Sequence, residues 1–254
     1  MSWDPSQYLS FSDHRLRPAL DLLARIPLTA PQSIIDLGCG PGNVTPYLAR
    51  RWPDAQITGI DSSPEMLDRA RASLPYLTWR EADAGQWRAA QPVDLIFSNA
   101  CLHWLPDHAR LFPALMDNLK PGGVLAIQIP RNFSRPTHSL VLGAAEQAGV
   151  TEQLTGLFAP PPTQEPQFYY DCLAPVSTGL EIWESDYLQV LEGDNPVADW
   201  TKGTWLRPFL AALEEPDKSR FEESYRALIK KAYPKQGDGK TLLPFLRLFL
   251  VATK

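Results

Sequence analysis

Three carboxylates and one amide stand at the ends of predicted strands in the first hundred residues of the chain. Asp36, Asp61 and Asp83 end the first three of these strands, and Asn99 leaves the fourth. The apolar runs predict buried parallel strands, whose carboxyl ends meet at one edge of an open sheet and border its ligand crevice. A carboxylate in that crevice, such as Asp36, suits a cationic ligand better than a pyrophosphate, which it would repel.

Three glycines at alternate positions, 38, 40 and 42, come directly after the first apolar run. A glycine omits Cβ, so the chain can turn tightly and a ligand can approach it closely. The residues from Thr45 to Trp52 predict a helix, and a glycine-rich turn between strand and helix suggests a nucleotide-like ligand. The spacing is not the G-x-G-x-x-G of a nicotinamide-binding loop, and Asp36 in front of it also argues against a dinucleotide-dependent oxidoreductase.

The second and third acidic residues suggest contacts to a nucleoside. Asp61 stands 21 residues after Gly40, where a carboxylate accepts hydrogen bonds from both hydroxyls of a ribose. Met66 is placed to pack on an adenine face. Asp83 is placed to accept a hydrogen bond from the exocyclic amine of adenine, while the backbone N–H of Ala84 is placed to donate one to a ring nitrogen. A helix-capping Asp61, a core Met66 and a simple loop acid at Asp83 remain open as alternatives.

Strand and helix patterns alternate up to about residue 130 and predict five strands of a doubly wound parallel sheet. One helix, "LFPALMDNLK", is expected to end at "PGG". Beyond Pro130 we expect a helix, a Pro-rich connection over "LFAPPPTQEPQFYYDCLAP", a strand at "LEIWESDYLQVL", further helices and a last strand at "LFLVAT".

The predicted fold class is therefore α/β, a doubly wound and mostly parallel sheet of seven strands. We expect one domain over residues 1–254, with a cofactor-binding core at 30–132. Residues 195–242 are expected to form a helical insertion that sits over the sheet as a substrate-binding lid.

Five motifs follow one another over roughly residues 30 to 130: DLGCGPG, GIDSSPEM, EAD, SNACLHWLPD and LKPGGVLAIQIP. In these motifs and their order, this part of the chain resembles the class I S-adenosylmethionine-dependent methyltransferases. The resemblance implies S-adenosyl-L-methionine as the cofactor. Its predicted contacts are Asp36, Gly38, Gly40, Asn43, Asp61, Ser62, Met66, Asp83, Ala84 and Asn99. Over nearly the whole chain, the sequence is similar to members of this family that methylate one carboxylate of a small tricarboxylic acid.

Methylation of a carboxylate asks little of an enzyme beyond position and counter-charge, because the acid is already ionised at pH 7 and needs no general base. Arginine is preferred for the counter-charge, since its fork binds carboxylates at two points. Arg247 is the most unusual candidate, a charge inside an apolar run. The predicted acceptor-binding residues are His14, Arg15, His103, Trp104, Trp205, Arg207 and Arg247. For each of them a solvated, structural or packing role remains an alternative.

Composition narrows the choice of partners. The net charge of −5 and the lack of a Lys/Arg block argue against nucleic acid. No apolar run approaches the roughly 18 residues of a membrane span, and the polar, aromatic start lacks a signal-peptide layout. The three cysteines have no paired spacing, which fits the reducing cytoplasm and no metal site.

These observations lead to one main function and several alternatives. We expect a cytoplasmic carboxyl O-methyltransferase of a small polycarboxylic acid, a monomer or a weak oligomer. The alternatives are methylation of another free acid, such as a carrier-linked malonyl group, a different small-molecule methyltransferase, and a domain that binds the cofactor without turnover.

Overall fold

The computed structural model describes residues 16–158, 163–203 and 205–254. Among these residues, the first element is helix α1 (Arg17–Arg25), which buries one face made of Ala19, Leu20, Leu22 and Leu23. The alternating half continues with β1 (Ser33–Leu37), α2 (Thr45–Arg51), β2 (Gln56–Asp61), α3 (Pro64–Ser73), β3 (Thr78–Glu81), β4 (Val93–Asn99), α4 (His108–Asp117) and β5 (Leu119–Pro130). A short 3-10 helix, Leu102–Trp104, follows β4.

The second half begins with three helices and ends with a strand. Its elements are α5 (Pro136–Ala148), α6 (Thr151–Leu154), α7 (Pro166–Leu173), β6 (Gly179–Leu191), α8 (Pro196–Lys202), α9 (Arg207–Ala211), α10 (Asp217–Ala232) and β7 (Thr241–Thr253). Two further 3-10 turns lie at Thr155–Leu157 and Ala174–Val176.

The strands form one seven-stranded sheet in the order β3-β2-β1-β4-β5-β7-β6. The first five strands pair in parallel, and β7 runs antiparallel to β5. Side chains of β4 and β5 are buried almost throughout, as expected for central parallel strands covered on both faces. The predicted doubly wound, mostly parallel seven-stranded sheet is confirmed.

Three boundaries differ from the sequence-based expectation, each for a local reason. Helix α4 ends at Asp117, and "PGG" lies within the first part of β5, where the pairing with β4 shifts in register. The Pro-rich connection contains α7, because Pro166 occupies the first helical turn, where a missing N–H costs nothing. Strand β7 begins at Thr241 rather than near Leu248. Pro244 precedes the rungs with β5, which start at Arg247, so its missing N–H interrupts none of them.

The chain divides into two compact units. The first consists of the described residues among 1–130, 162–185 and 247–254 and contains the parallel part of the sheet. Its core packs Ile127 and Leu250 with Phe112 of α4 and Tyr169 of α7. The hydroxyl of Tyr169 lies 2.7 Å from Nδ1 of the buried His108.

The second unit consists of the described residues among 131–161 and 186–246. Its own core packs Phe221 and Ile229 of α10 with Val141 of α5. The hydroxyl of Tyr225 donates to the Thr137 carbonyl at 2.9 Å. Helices α8, α9 and α10 lie between β6 and β7, within residues 195–242, and the expected role of that segment as a lid stays a prediction.

No helix in the described part of the chain combines the length and the apolar character needed to cross a membrane.

Candidate active site

The turn between β1 and α2 requires glycine. Gly38, Gly40 and Gly42 have φ values of 76°, 56° and 81°, which side-chain-bearing residues rarely adopt. A Cβ added to Gly38 would lie 2.2 Å from the Cβ and the Sγ of Cys101. The N–H groups of Gly38 and Cys39 donate to the Ile60 carbonyl at 2.7 and 3.0 Å, which ties the turn to the end of β2.

Asp61 joins the glycine turn to the start of the next helix. Its Oδ2 accepts a hydrogen bond from the Gly40 N–H at 2.8 Å, and its Oδ1 accepts one from the Ser63 N–H at 2.9 Å. Ser63 in turn caps α3, because its side chain accepts a hydrogen bond from the Met66 N–H at 3.3 Å. Each carboxylate oxygen still has a lone pair free, so the oriented Asp61 can accept two hydroxyls of a ribose.

Asp36 is a buried carboxylate with 2 % of its surface exposed. The hydroxyl of Thr45, the first residue of α2, donates to its Oδ2 at 2.6 Å. The pKa of Asp36 is raised to about 6: burial is the largest cause, the Thr45 hydrogen bond opposes it, and the negative charge of Asp61 adds to it. A cationic ligand nearby would stabilise the ionised carboxylate that burial disfavours.

The remaining predicted cofactor contacts vary in exposure. Asp83 is exposed just after β3, where its Oδ1 accepts from the Gly85 N–H at 2.8 Å, and it borders a cleft also lined by Leu105 and Pro106. Ala84 is buried and Met66 is half-buried. Asn43 and Ser62 are exposed. Whether these residues contact the cofactor stays a prediction.

The loop after β4 turns through a strained residue. Ala100 has a φ of 52°, and its N–H donates to the Gln128 carbonyl at 2.8 Å. A left-handed conformation at a residue other than glycine costs about 1 kcal/mol or more and is typical of functional sites. The turn leads into the 3-10 helix Leu102–Trp104. There the ring centroids of the buried His103 and of Trp104 lie 4.5 Å apart, and Trp104 is 67 % exposed.

Two predicted acceptor-binding residues, His103 and Arg247, act on each other electrostatically. Arg247 stands on β7 opposite Pro130 of β5 and is only 9 % exposed. Burial, together with the charges of Arg247 and His108, lowers the pKa of His103 to about 3. The His103 imidazole is therefore neutral at pH 7, and Arg247 carries the positive charge of this pair.

Polar side chains cross the sheet in an order that changes from acidic to basic. The set comprises Asp61 on β2, Asp36 on β1, Asn99 on β4, Gln128 on β5 and Arg247 on β7, and we call it the charge row. Strand register places all five on one face, because the rungs join Asp36 to Gly59 and Phe97, Asn99 to Gln128, and Gln128 to Phe249. A positively charged methyl donor suits the acidic end of the charge row, and an anionic methyl acceptor suits the basic end.

Gln128 is the member of the charge row that sequence analysis missed. It is 1 % exposed and lies in the apolar second half of β5. The available signal was a single amide inside "GVLAIQIP", the same kind of signal that singled out Arg247 in "FLRLFL".

The other predicted acceptor-binding residues lie in the second unit or outside the described residues. The Trp205 ring packs 4.5 Å from His138 and 5.6 Å from Phe133. Its buried Nε1 makes no hydrogen bond to any residue that the structure describes. Arg207 is exposed at the start of α9. His14 and Arg15 lie outside the described residues, and the roles of all four stay predictions.

The first unit fits the cofactor that the sequence implies. The glycine turn leaves room for close approach, Asp61 presents free lone pairs, and Asp36 favours a cation. The buried Oδ1 of Asn99 accepts no hydrogen bond from the described residues, so it can accept one from a ligand. Within the same described part of the chain, no three His, Cys, Asp or Glu side chains cluster as metal ligands would.

Comparison with known proteins identifies the family. The profile of the family described as "Methyltransferase domain" matches residues 34–123. The chain is 48% identical to the trans-aconitate 2-methyltransferase of Azoarcus sp. (strain BH72), covering 100% of this chain and 99% of that protein. It is 47% identical to the enzyme of the same name from Yersinia pestis (strain Pestoides F), covering 98% of this chain and 97% of that protein.

A solved structure shares the fold at low sequence identity. It is phosphoethanolamine N-methyltransferase 2 of Haemonchus contortus in complex with S-adenosyl-L-methionine, with a TM-score of 0.52, 17% identity, and coverage of 92% of this chain and 51% of that one. The full-length identity to the two bacterial proteins goes beyond a shared fold. The chain belongs to the trans-aconitate 2-methyltransferase family.

Proposed function

We propose that this protein is an S-adenosylmethionine-dependent O-methyltransferase that converts trans-aconitate to its monomethyl ester. The family of its full-length relatives supports the reaction. The observation that carries the proposal is the charge row, which offers carboxylates for a cationic donor and a buried arginine for an anionic acceptor, side by side on one sheet face.

Different residues of the first unit bind different parts of the cofactor. Asp61 and the glycine turn bind the ribose. Asp36 is a buried carboxylate whose ionised form is stabilised by the positive charge of the cofactor. When bound, S-adenosylmethionine would supply a methyl group on a positively charged sulfur. A carboxylate oxygen of the acceptor would bond to the methyl carbon, and the sulfur would leave with the pair of bonding electrons as a neutral sulfide. Holding both reactants in line contributes up to about 7–11 kcal/mol in well-oriented reactions.

No residue needs to act as a general base in this reaction. A carboxylic acid with a pKa near 4 has lost its proton at pH 7, so nothing is left to abstract. The neutral His103 serves as a polar neighbour of Arg247, since burial keeps its pKa at about 3. Arg247 supplies the counter-charge, and a buried guanidinium binds a carboxylate more strongly than an exposed one because water competes less.

The acceptor is expected to be a free small molecule. A protein-linked acid would need a basic docking surface, and the net charge of −5 gives the chain an acidic balance. We expect the protein to work in the cytoplasm as a monomer or weak oligomer, without nucleic acid or membrane partners.

A labelled-methyl assay tests the proposal directly. Purified protein and methyl-labelled S-adenosylmethionine are incubated with a panel of di- and tricarboxylic acids, and mass spectrometry locates the methyl group in each product. We expect trans-aconitate to be the best acceptor and to gain one methyl ester. The proposal is wrong if trans-aconitate remains unmethylated, or if another acid of the panel has a much higher kcat/KM.

A further inference from the structure

Two amide side chains stand next to each other in the middle of the charge row. Asn99 is the last residue of β4, and Gln128 pairs with it in register on β5. The buried Oδ1 of Asn99 and the buried Nε2 of Gln128 make no hydrogen bond to any residue among 16–158, 163–203 and 205–254. One strand thus offers a buried acceptor without a donor, and its neighbour offers a buried donor without an acceptor.

Leaving such groups without partners is costly. A buried polar group without a hydrogen bond destabilises the folded protein, and most buried polar atoms in proteins have a partner. The adjoining backbone is also strained, because Ala100 follows Asn99 with a φ of 52° and is tied to the Gln128 carbonyl. Unsatisfied polar atoms beside a strained turn indicate a surface that is completed by a ligand.

The polarity of the two amides matches the two reactants. An amide oxygen can accept a hydrogen bond from the positively charged methyl donor or lie against its charge, whereas an amide N–H can donate a hydrogen bond to an anion. Asn99 is nearer the acidic side of the row, next to β1 and Asp36, and Gln128 is nearer the basic side, next to β7 and Arg247. Neighbouring strands lie only about 4.8 Å apart, and reacting atoms must come within about 3–3.5 Å, so adjacent strands suit the two reactants.

We infer that Gln128 is a specificity-determining residue, whose side-chain N–H donates a hydrogen bond to the carboxylate of the acceptor. The inference rests on the proposed function and adds a residue to it. Arg247 supplies the charge that attracts the acceptor, while the Gln128 amide fixes the acceptor beside the cofactor contact of Asn99. A positioning hydrogen bond of this kind favours an anionic oxygen over a neutral one, because charge-assisted hydrogen bonds are roughly twice as strong.

The test replaces Gln128 by methionine, which has similar length and no donor. Gln189 on β6 provides a matched control: it is 5 % exposed, and its buried Oε1 has no partner among the described residues. Calorimetry measures trans-aconitate binding to protein saturated with S-adenosylhomocysteine, and separately measures S-adenosylhomocysteine binding. Thermal unfolding and the KM and kcat of methyl transfer are measured for the same variants.

In Gln128→Met we expect the Kd and KM for trans-aconitate to rise about tenfold to a hundredfold, as for the loss of a hydrogen bond to a charged group. S-adenosylhomocysteine affinity should stay within twofold, and Tm should not fall, because an apolar group replaces a donor that has no partner among the described residues. Gln189→Met should bind trans-aconitate like the wild type. Gln128→Glu should bind it more weakly than Gln128→Met, since its carboxylate repels the acceptor.

Three results would overturn the inference. Trans-aconitate affinity could be unchanged in Gln128→Met; S-adenosylhomocysteine affinity could fall as much as acceptor affinity; or Tm could drop together with both affinities, which would mark a structural role. A wild-type protein that neither binds nor methylates trans-aconitate would instead refute the proposed function, and the inference with it.

Discussion

The Asp36→Asn substitution tests the electrostatic basis of cofactor binding. The asparagine has the same shape, and its Oδ1 can still accept from the Thr45 hydroxyl, which donates to Asp36 at 2.6 Å. What the substitution removes is a negative charge in a buried position. We therefore expect it to stabilise the fold at neutral pH and to weaken binding of S-adenosylmethionine, which is a cation, more than binding of the neutral S-adenosylhomocysteine.

The pKa gives the size and the pH range of the stability effect. Raising the pKa of Asp36 from 3.8 to about 6 costs the folded protein about 3 kcal/mol at pH 7. Because the folded pKa is the higher one, the folded state holds the proton more tightly, and stability is lost as the pH rises from 3.8 towards and past 6. The free energy of unfolding of Asp36→Asn minus that of the wild type should be near zero at pH 3.5 and rise to about 3 kcal/mol at pH 7.

Urea unfolding at several pH values measures this difference, and calorimetry measures both ligands at pH 7. The affinity for S-adenosylmethionine relative to S-adenosylhomocysteine should fall at least about tenfold, equivalent to about 1.4 kcal/mol. Asp94→Asn is the matched control, because Lys120 and the hydroxyl and N–H of Ser33 hold the pKa of Asp94 below its usual range. That variant should be destabilised at neutral pH, with an unchanged ligand ratio. A stability difference for Asp36→Asn that does not change with pH, or equal losses for both ligands, would refute the reasoning.

Three further substitutions test separate parts of the site. Asp61→Ala should raise the Kd for S-adenosylmethionine about tenfold or more, as for a lost hydrogen bond to a charged group; unchanged binding in calorimetry would remove this residue from the site. Arg247→Met should raise the KM for trans-aconitate about tenfold or more and leave cofactor affinity alone, whereas the exposed Arg220→Met should change neither; wild-type kinetics in Arg247→Met would contradict its role. Gly38→Ala should abolish cofactor binding or unfold the protein, because its Cβ would lie 2.2 Å from the Cys101 side chain. Gly156→Ala is the control: no atom of the described residues beyond its chain neighbours lies within 4 Å of its Cβ, so the free energy of unfolding should change by less than about 1 kcal/mol. Thermal unfolding that is equal for the two alanine variants would show that the turn tolerates a side chain.

The acidic half of the charge row could be predicted because its signals are local. A carboxylate at the end of an apolar run, a glycine turn and a helix-capping serine each depend on residues close in sequence. The structure accordingly shows Asp61 bonded to both the Gly40 and the Ser63 N–H groups. The five strands before residue 130 and their parallel, doubly wound arrangement could be predicted for the same reason, since strand and helix patterns alternate along the chain.

The basic half of the charge row depends on the pairing of strands that are distant in sequence. Gln128 and Asn99 are neighbours only because β5 pairs with β4, and Arg247 joins them only because β7 returns antiparallel to β5. The sequence picks out Arg247 as a charge in an apolar run but does not place Gln128 beside it. Helix α7 was missed because its prolines indicated a loop, although Pro166 stands where a helix accepts proline.

The charge row also has a consequence for the steps after catalysis. Methyl transfer neutralises the sulfur and one carboxylate at the same moment, so electrostatic attraction weakens at both ends of the row together. In the proposed reaction the ester carries one negative charge fewer than the acid. We therefore expect the ester to bind Arg247 more weakly than the acid does and to be the poorer acceptor for a second methyl group.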